Sequence, residues 1–196
     1  KTRVNYLMES KEKKVRSKRD PQGRRRVIAQ AAAELLLFED PKSVTHRSVA
    51  KKAQVPLGST TQYFSSINEL KRAGYDVISR GLERGYDELI AQSEKAKNDS
   101  KALAACIYDY VTNIEEARAD MVLSAAAIKD EELRALLERN NERYEASLKQ
   151  YMSDNQAKMI SVFTNGLMLE TGIFAHQFSE EFIVQAIETI LTKSKA

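Results

Sequence analysis

Val44-Thr45-His46-Arg47-Ser48-Val49-Ala50-Lys51-Lys52-Ala53-Gln54-Val55-Pro56-Leu57-Gly58-Ser59-Thr60-Thr61-Gln62-Tyr63-Phe64 reads as two short helices joined by a tight turn. Thr45 is a good N-cap, and Val44 and Val49 have the spacing of a hydrophobic staple. Ser48 stands where a capping box would carry Glu, so the box is expected to be incomplete. Val49, Ala50 and Ala53 share one face, and the alanines let a second helix cross close by, while Arg47, Lys51 and Lys52 point outward. Val55-Pro56 forces an extended residue that ends the first helix and suits the opening of the next, from about Leu57 to Phe64. On that second helix Ser59, Thr60, Thr61, Gln62 and Tyr63 are expected to be exposed. They form hydrogen bonds without carrying charge, a mix that suits base edges and phosphates together. Gln62 can pair with adenine through two hydrogen bonds, Gly58 lets the turn come close to a backbone, and Thr45 with Arg47 can hold a phosphate at a helix start.

Upstream, Ile28, Ala31, Ala32 and Leu35, with Phe38 or Glu39, follow the spacing of a core-facing stripe and predict a helix from about Arg24 to Glu39, stopped by Asp40-Pro41. Arg24, Arg25 and Arg26 fall at its amino-terminal end, where cations oppose the helix dipole, and an outside phosphate would relieve the mismatch. Pro21-Gln22-Gly23 separates this helix from a basic segment over residues 1–22. Three readings of that segment compete: an arm lying along phosphates or in a minor groove, which is favoured, an extension of the helix, or a solubilising tail.

Charge is distributed unevenly. Residues 1–72 hold 17 Lys and Arg against 7 Asp and Glu, giving +10, whereas residues 73–196 hold 14 against 21, giving −7. A basic first third on a mildly acidic remainder is the footprint of a nucleic-acid reader joined to something else. The domain reading divides the chain into a basic arm over 1–22, a helix-turn-helix domain over 23–72 and a helical domain over 73–196, which the family resemblance given below implies to be regulatory and dimerising.

The remainder is helical by pattern, so the fold class is all-α. A long helix is expected from about Asn68 to Lys95, with Leu70, Val77, Ile78, Leu82, Tyr86 and Leu89 buried; its Gly74, Gly81 and Gly85 serve either bending or close packing. Further helices are expected over Lys101 to Ala117, Ala119 to Ile128 (apolar nearly all round and so buried), Glu131 to Tyr151, Asp154 to Phe174 and Glu180 to Thr192. Met159, Ile160, Val162, Phe163, Leu167, Met168 and Leu169 are more apolar than one buried face requires, and Phe182, Ile183, Ala186, Ile187 and Ile190 give the last helix a matching stripe.

The run from Arg26 through Leu70 resembles the DNA-binding domain of the tetracycline-repressor (TetR) family. The matching residues are Arg26, Ile28, Ala31, Ala32, Thr45, Arg47, Val49, Ala50, Ala53, Val55, Gly58, Ser59, Tyr63, Phe64 and Leu70. Three positions depart from the family pattern. Asp40 replaces a glycine after the first helix, Thr61 replaces a tyrosine, and Ile67 replaces a basic residue whose phosphate contact Lys71 or Arg72 could supply. The resemblance implies double-stranded DNA as partner, with Ser59, Thr60, Gln62 and Tyr63 on the recognition face and Tyr63 placing the helix on phosphate. It also implies that the last two long helices pair in a homodimer, and that a helical cavity takes a small lipophilic effector. Tyr108, Met121, Leu123, Tyr144, Phe163, Asn165 and Met168 lie on the enclosing helices, although core packing is the more common role for such residues. A dimer would place two recognition helices about 34 Å apart on successive major grooves.

His46, His176 and the single Cys106 fall on separate segments, and no metal-ligand spacing, P-loop, dinucleotide fingerprint or nucleophile elbow occurs. No catalytic residue, metal or cofactor is expected. No apolar run nears the ~18 residues of a membrane span, the amino terminus lacks a signal-peptide pattern, and one cysteine suits a reducing cytoplasm. The expectation is thus a cytoplasmic TetR-like repressor that binds a near-palindromic operator as a dimer and is released by a small ligand. An adaptor controlled by a protein partner is the alternative, and an enzyme comes third.

Overall fold

In the computed structural model, residues 20–97 and 99–193 are described; most of the basic amino-terminal segment, residues 1–19, lies outside them. Among the described residues there are nine α-helices and no strand: α1 Pro21–Phe38, α2 His46–Ala53, α3 Leu57–Tyr63, α4 Ile67–Ala96, α5 Ser100–Val111, α6 Ile114–Ala127, α7 Glu131–Leu148, α8 Asp154–Phe174 and α9 Glu180–Lys193. None of these is long and apolar enough to cross a membrane. The chain divides into two compact units, with the boundary between Gly81 and Leu82 inside α4.

In the first unit, α1 begins three residues earlier than its apolar stripe suggests. The Asp20 carboxylate accepts the Gly23 N–H at 2.8 Å, and Pro21 occupies the first turn, where its missing N–H costs nothing. Ile28, Ala32, Leu35 and Leu36 are buried together with Val44, Val49, Phe64 and Leu70. Asp40 needs no positive φ, because its Oδ1 accepts the Lys42 N–H at 2.8 Å and its carbonyl accepts the Ser43 hydroxyl at 2.7 Å. Gly74 serves close packing. A Cβ there would lie 3.1 Å from the Ala33 nitrogen and 3.2 Å from the Ala32 carbonyl carbon.

The second unit packs α6 against α7 and α8, and α9 against α5 and α8. Asp99, Asn113, Asp130 and Ser153 cap α5, α6, α7 and α8. The break between α5 and α6 falls at Thr112-Asn113, several residues before the expected one. Thr112 Oγ1 bonds back to the Tyr108 carbonyl at 2.7 Å, while Asn113 Oδ1 accepts the Glu115 and Glu116 N–H groups, so this polar pair ends one helix and starts the next. Nor is the following helix buried all round: Ala117, Ala119, Leu123 and Ala127 face inward, whereas Ile128 at its end is 74% exposed.

Candidate functional site

The helix-turn-helix is built by local chemistry. Thr45 Oγ1 accepts the Ser48 N–H at 3.1 Å and Ser48 Oγ accepts the Thr45 N–H at 2.8 Å, so the capping box is complete after all. A hydroxyl reaches back as well as a longer carboxylate would. Gln54 adopts φ 55° to end α2, and Pro56 then starts α3.

The exposed edge of α3 differs from the expected one. Thr60 has no exposed surface and donates its hydroxyl to the Leu57 carbonyl at 2.8 Å; Ser59 is only 9% exposed. Both lie on the packed side of this seven-residue helix, so the surface is formed by Leu57, Gly58, Thr61 and Gln62, with Tyr63 half-buried. Thr45 and Arg47 are exposed beside that edge in sequence, and Lys71 is partly buried on α4.

Arg24 is partly buried, whereas Arg25 and Arg26 are exposed. Arg25 is engaged within the unit. Its guanidinium lies 4.6 Å from the centre of the buried Phe64 ring, donates to the Tyr63 carbonyl at 3.3 Å and sits 3.6 Å from Glu69. These contacts tie α1 to the carboxy-terminal end of α3. Glu69 in turn accepts the Ser65 N–H at 2.7 Å and its hydroxyl at 3.0 Å, bonds that hold its carboxyl below the usual range. Arg25 thereby fixes the carboxy-terminal end of α3 against α1.

The second unit holds an unexpected polar interior. Tyr86 on α4 and Tyr110 on α5 meet edge to face, with ring centres 5.9 Å apart. The Tyr86 hydroxyl donates to Asn141 Oδ1 at 2.8 Å, and Asn165 Nδ2 donates to the same oxygen at 3.2 Å. Tyr110 and Asn140 are 2% and 0% exposed, yet among the described residues the Tyr110 hydroxyl and both ends of the Asn140 amide have no hydrogen-bond partner. From α6, Glu116 and Asp120 act electrostatically on the Tyr110 phenol, and Asp120 acts on that of Tyr86. Burial pushes both phenols well up, aided by these carboxylates. Burial likewise raises Tyr144 to about 12, against the pull of the Thr164 and Ser93 hydroxyls. Desolvation alone lifts Asp120 to about 6.

Of the effector residues expected from the sequence, Tyr144, Leu123 and Met168 are buried, and Asn165 joins the Asn141 network. Tyr108 and Met121 are partly buried. Phe163 instead meets Phe182 of α9, with ring centres 6.2 Å apart. Tyr86 is buried as its helical spacing predicts, but the gathering of Tyr86, Tyr110, Glu116, Asp120 and Asn140 was not anticipated. The spacing of Glu116, Asp120, Leu123 and Ala127, four, three and four residues apart, places the two acids in line with apolar residues of one face, and this was the available signal.

No family model and no curated protein matches the chain. Solved structures do. A TetR-family member (SCO1917) from Streptomyces coelicolor A3 aligns with a TM-score of 0.69 at 22% identity, covering 86% of this chain and 98% of its own. The multidrug binding protein EbrR aligns in its complex with ethidium (TM-score 0.65, 24% identity, 87% of this chain and 99% of that one). Its complex with malachite green gives a TM-score of 0.65 at 22% identity, over 87% and 99% of the two chains. The fold is that of TetR-family transcriptional regulators, a helix-turn-helix unit followed by a helical unit.

Proposed function

We propose that this chain is a TetR-family transcriptional regulator, a repressor that binds a near-palindromic operator as a homodimer and is released by a small lipophilic ligand. The observation that carries the reading is the α2–α3 pair, whose exposed edge offers Gly58, Thr61 and Gln62 on a unit rich in Lys and Arg, within a chain that has the TetR fold. Dimerisation is supported by α8. Met159, Val162, Gly166, Leu169 and Ile173 are all exposed and recur every three or four residues along one side, the seam spacing of paired helices. Release by a ligand is supported by EbrR, a multidrug binding protein of the same fold solved with ethidium and with malachite green.

Selection of genomic duplexes by fluorescence anisotropy across salt concentrations tests the DNA reading. One short near-palindrome should bind at least a thousandfold tighter than random DNA. Gln62→Ala should lose roughly 10- to 100-fold of that discrimination while leaving nonspecific affinity unchanged. Weak, sequence-indifferent binding that salt abolishes would overturn it. In the same preparation, sedimentation should give twice the chain mass, and Val162→Glu with Leu169→Glu should give the single-chain mass. A parent protein that sediments as a monomer would remove the dimer from the proposal.

A further inference from the structure

Two neighbouring residues of α3 have no explanation inside the fold. Leu57 opens the helix with 46% of its surface exposed, one of two large apolar side chains so exposed among the described residues of the first unit. Gly58 follows it. Its φ is not positive, and a Cβ built there would meet nothing within 4 Å, so neither a turn nor a packing contact asks for glycine. Alanine would make the better helix. One turn on, Thr61 is exposed, and its hydroxyl donates to the Gly58 carbonyl at 3.2 Å. That bond turns the polar end back onto the helix and leaves the Cγ2 methyl as the free end of the side chain. Leu57 precedes Gly58, while Thr61 and Gln62 lie three and four residues beyond it on the helix surface, all exposed. Gly58 is thus a gap bordered by an aliphatic side chain, a methyl and an amide.

A lone exposed leucine needs no explanation, but a leucine beside a glycine that the fold does not require does. The gap sits on a basic part of the chain, residues 1–72 carrying a net +10. Among the base edges of a DNA major groove only thymine offers a methyl group, and adenine offers the donor and acceptor that a glutamine takes. We infer that the gap at Gly58, walled by Leu57 and Thr61, holds the C5-methyl of one thymine in each half-site, with Gln62 beside it on an adenine. The inference rests on the reading of this chain as a DNA-binding regulator and adds the base group that these three residues read. A phosphate would not suit the gap, whose apolar walls would desolvate it without a cation. Cytosine would place a bare C5–H there and leave the gap part empty.

The experiment uses the full chain and randomised DNA duplexes, from which the tightest binder is recovered and resynthesised. Each of its thymines is replaced in turn by deoxyuridine, which keeps every hydrogen-bonding group and lacks only the methyl. One position in each half-site should weaken binding roughly fourfold, and both together roughly fifteenfold, the worth of one and two buried methyl-sized groups. Leu57→Ala should bind the thymine and uracil duplexes alike. Thr61→Ser, which drops the methyl and keeps the hydroxyl, should shrink the preference, and Thr61→Val, which keeps the methyl, should retain it. Gly58→Ala should melt at or above the temperature of the parent, because its Cβ meets nothing in the fold, yet lose roughly tenfold in affinity for the thymine duplex. Uracil tolerated at every position, a thymine preference that survives Leu57→Ala, or full affinity in Gly58→Ala would overturn the inference and leave the DNA reading standing. A chain that selects no duplex over random sequence would overturn both.

Discussion

Gly172→Ala is expected to lower the melting temperature by roughly 5–10 °C, a loss of about 2–3 kcal/mol. Gly172 lies on α8 where that helix crosses α6, and a Cβ built on it would be 2.8 Å from the Ala117 carbonyl oxygen and 3.2 Å from its carbon. Both atoms belong to the backbone, so no side-chain rotation can clear the contact, and the two helices would have to separate. Alanine's higher helix propensity returns only about 1 kcal/mol. Separation also disturbs the inward face of α6, because Ala117 and Leu123 there have no exposed surface. Gly85→Ala is the comparison. Its methyl would meet Tyr110 at 3.4 Å and Glu116 at 3.5 Å, ordinary contact distances, so the propensity gain should leave the melting temperature unchanged or raised. Thermal unfolding of the two variants, followed by circular dichroism, decides the matter. A Gly172→Ala protein as stable as its parent would mean that α6 and α8 do not pack this closely.

The sequence announces such glycines poorly. Gly166 and Gly172 both sit in an apolar run, yet nothing lies within 4 Å of a Cβ at Gly166, whereas Gly172 abuts a backbone carbonyl. Only the helix crossing tells them apart. Elements and caps were far easier to read, since they depend on near neighbours: Thr45 before α2, Val55-Pro56 before α3 and Asp154 at the start of α8 all stand where local chemistry puts them. Missed boundaries arose from side chains with two local uses. Ser48 completes a capping box usually closed by a longer side chain, and Asn113 caps a helix that hydropathy had joined to its predecessor. For α3 the residue types were readable and the packed side was not. Seven residues make two turns, and the burial of Thr60 depends on where α2 crosses them. The polar cluster was the least readable feature. Its members come from five helices separated in sequence, α4 to α8, and only Glu116 with Asp120, and Asn140 with Asn141 and Tyr144, share an element.

Asp120→Asn is expected to stabilise the protein at pH 7.5 by roughly 2 kcal/mol and to have little effect at pH 4. Desolvation holds the Asp120 carboxyl at about 6, above the value near 4 of an aspartate in an unfolded chain. Between those two values the folded chain keeps a proton that the unfolded chain has released. Stability therefore falls as pH rises through that window, and the loss is complete above about pH 6. A difference of two pKa units corresponds to roughly 3 kcal/mol, from which the cost of burying an amide must be subtracted. Glu69 and Glu145, whose carboxyls are held low by Ser65 and by Lys149 with Lys158, act in the opposite direction, but both proteins contain them and they cancel in the comparison. Urea unfolding of parent and variant at pH 4 and at pH 7.5 measures the difference. The same gain at both values would show that the carboxyl is not desolvated.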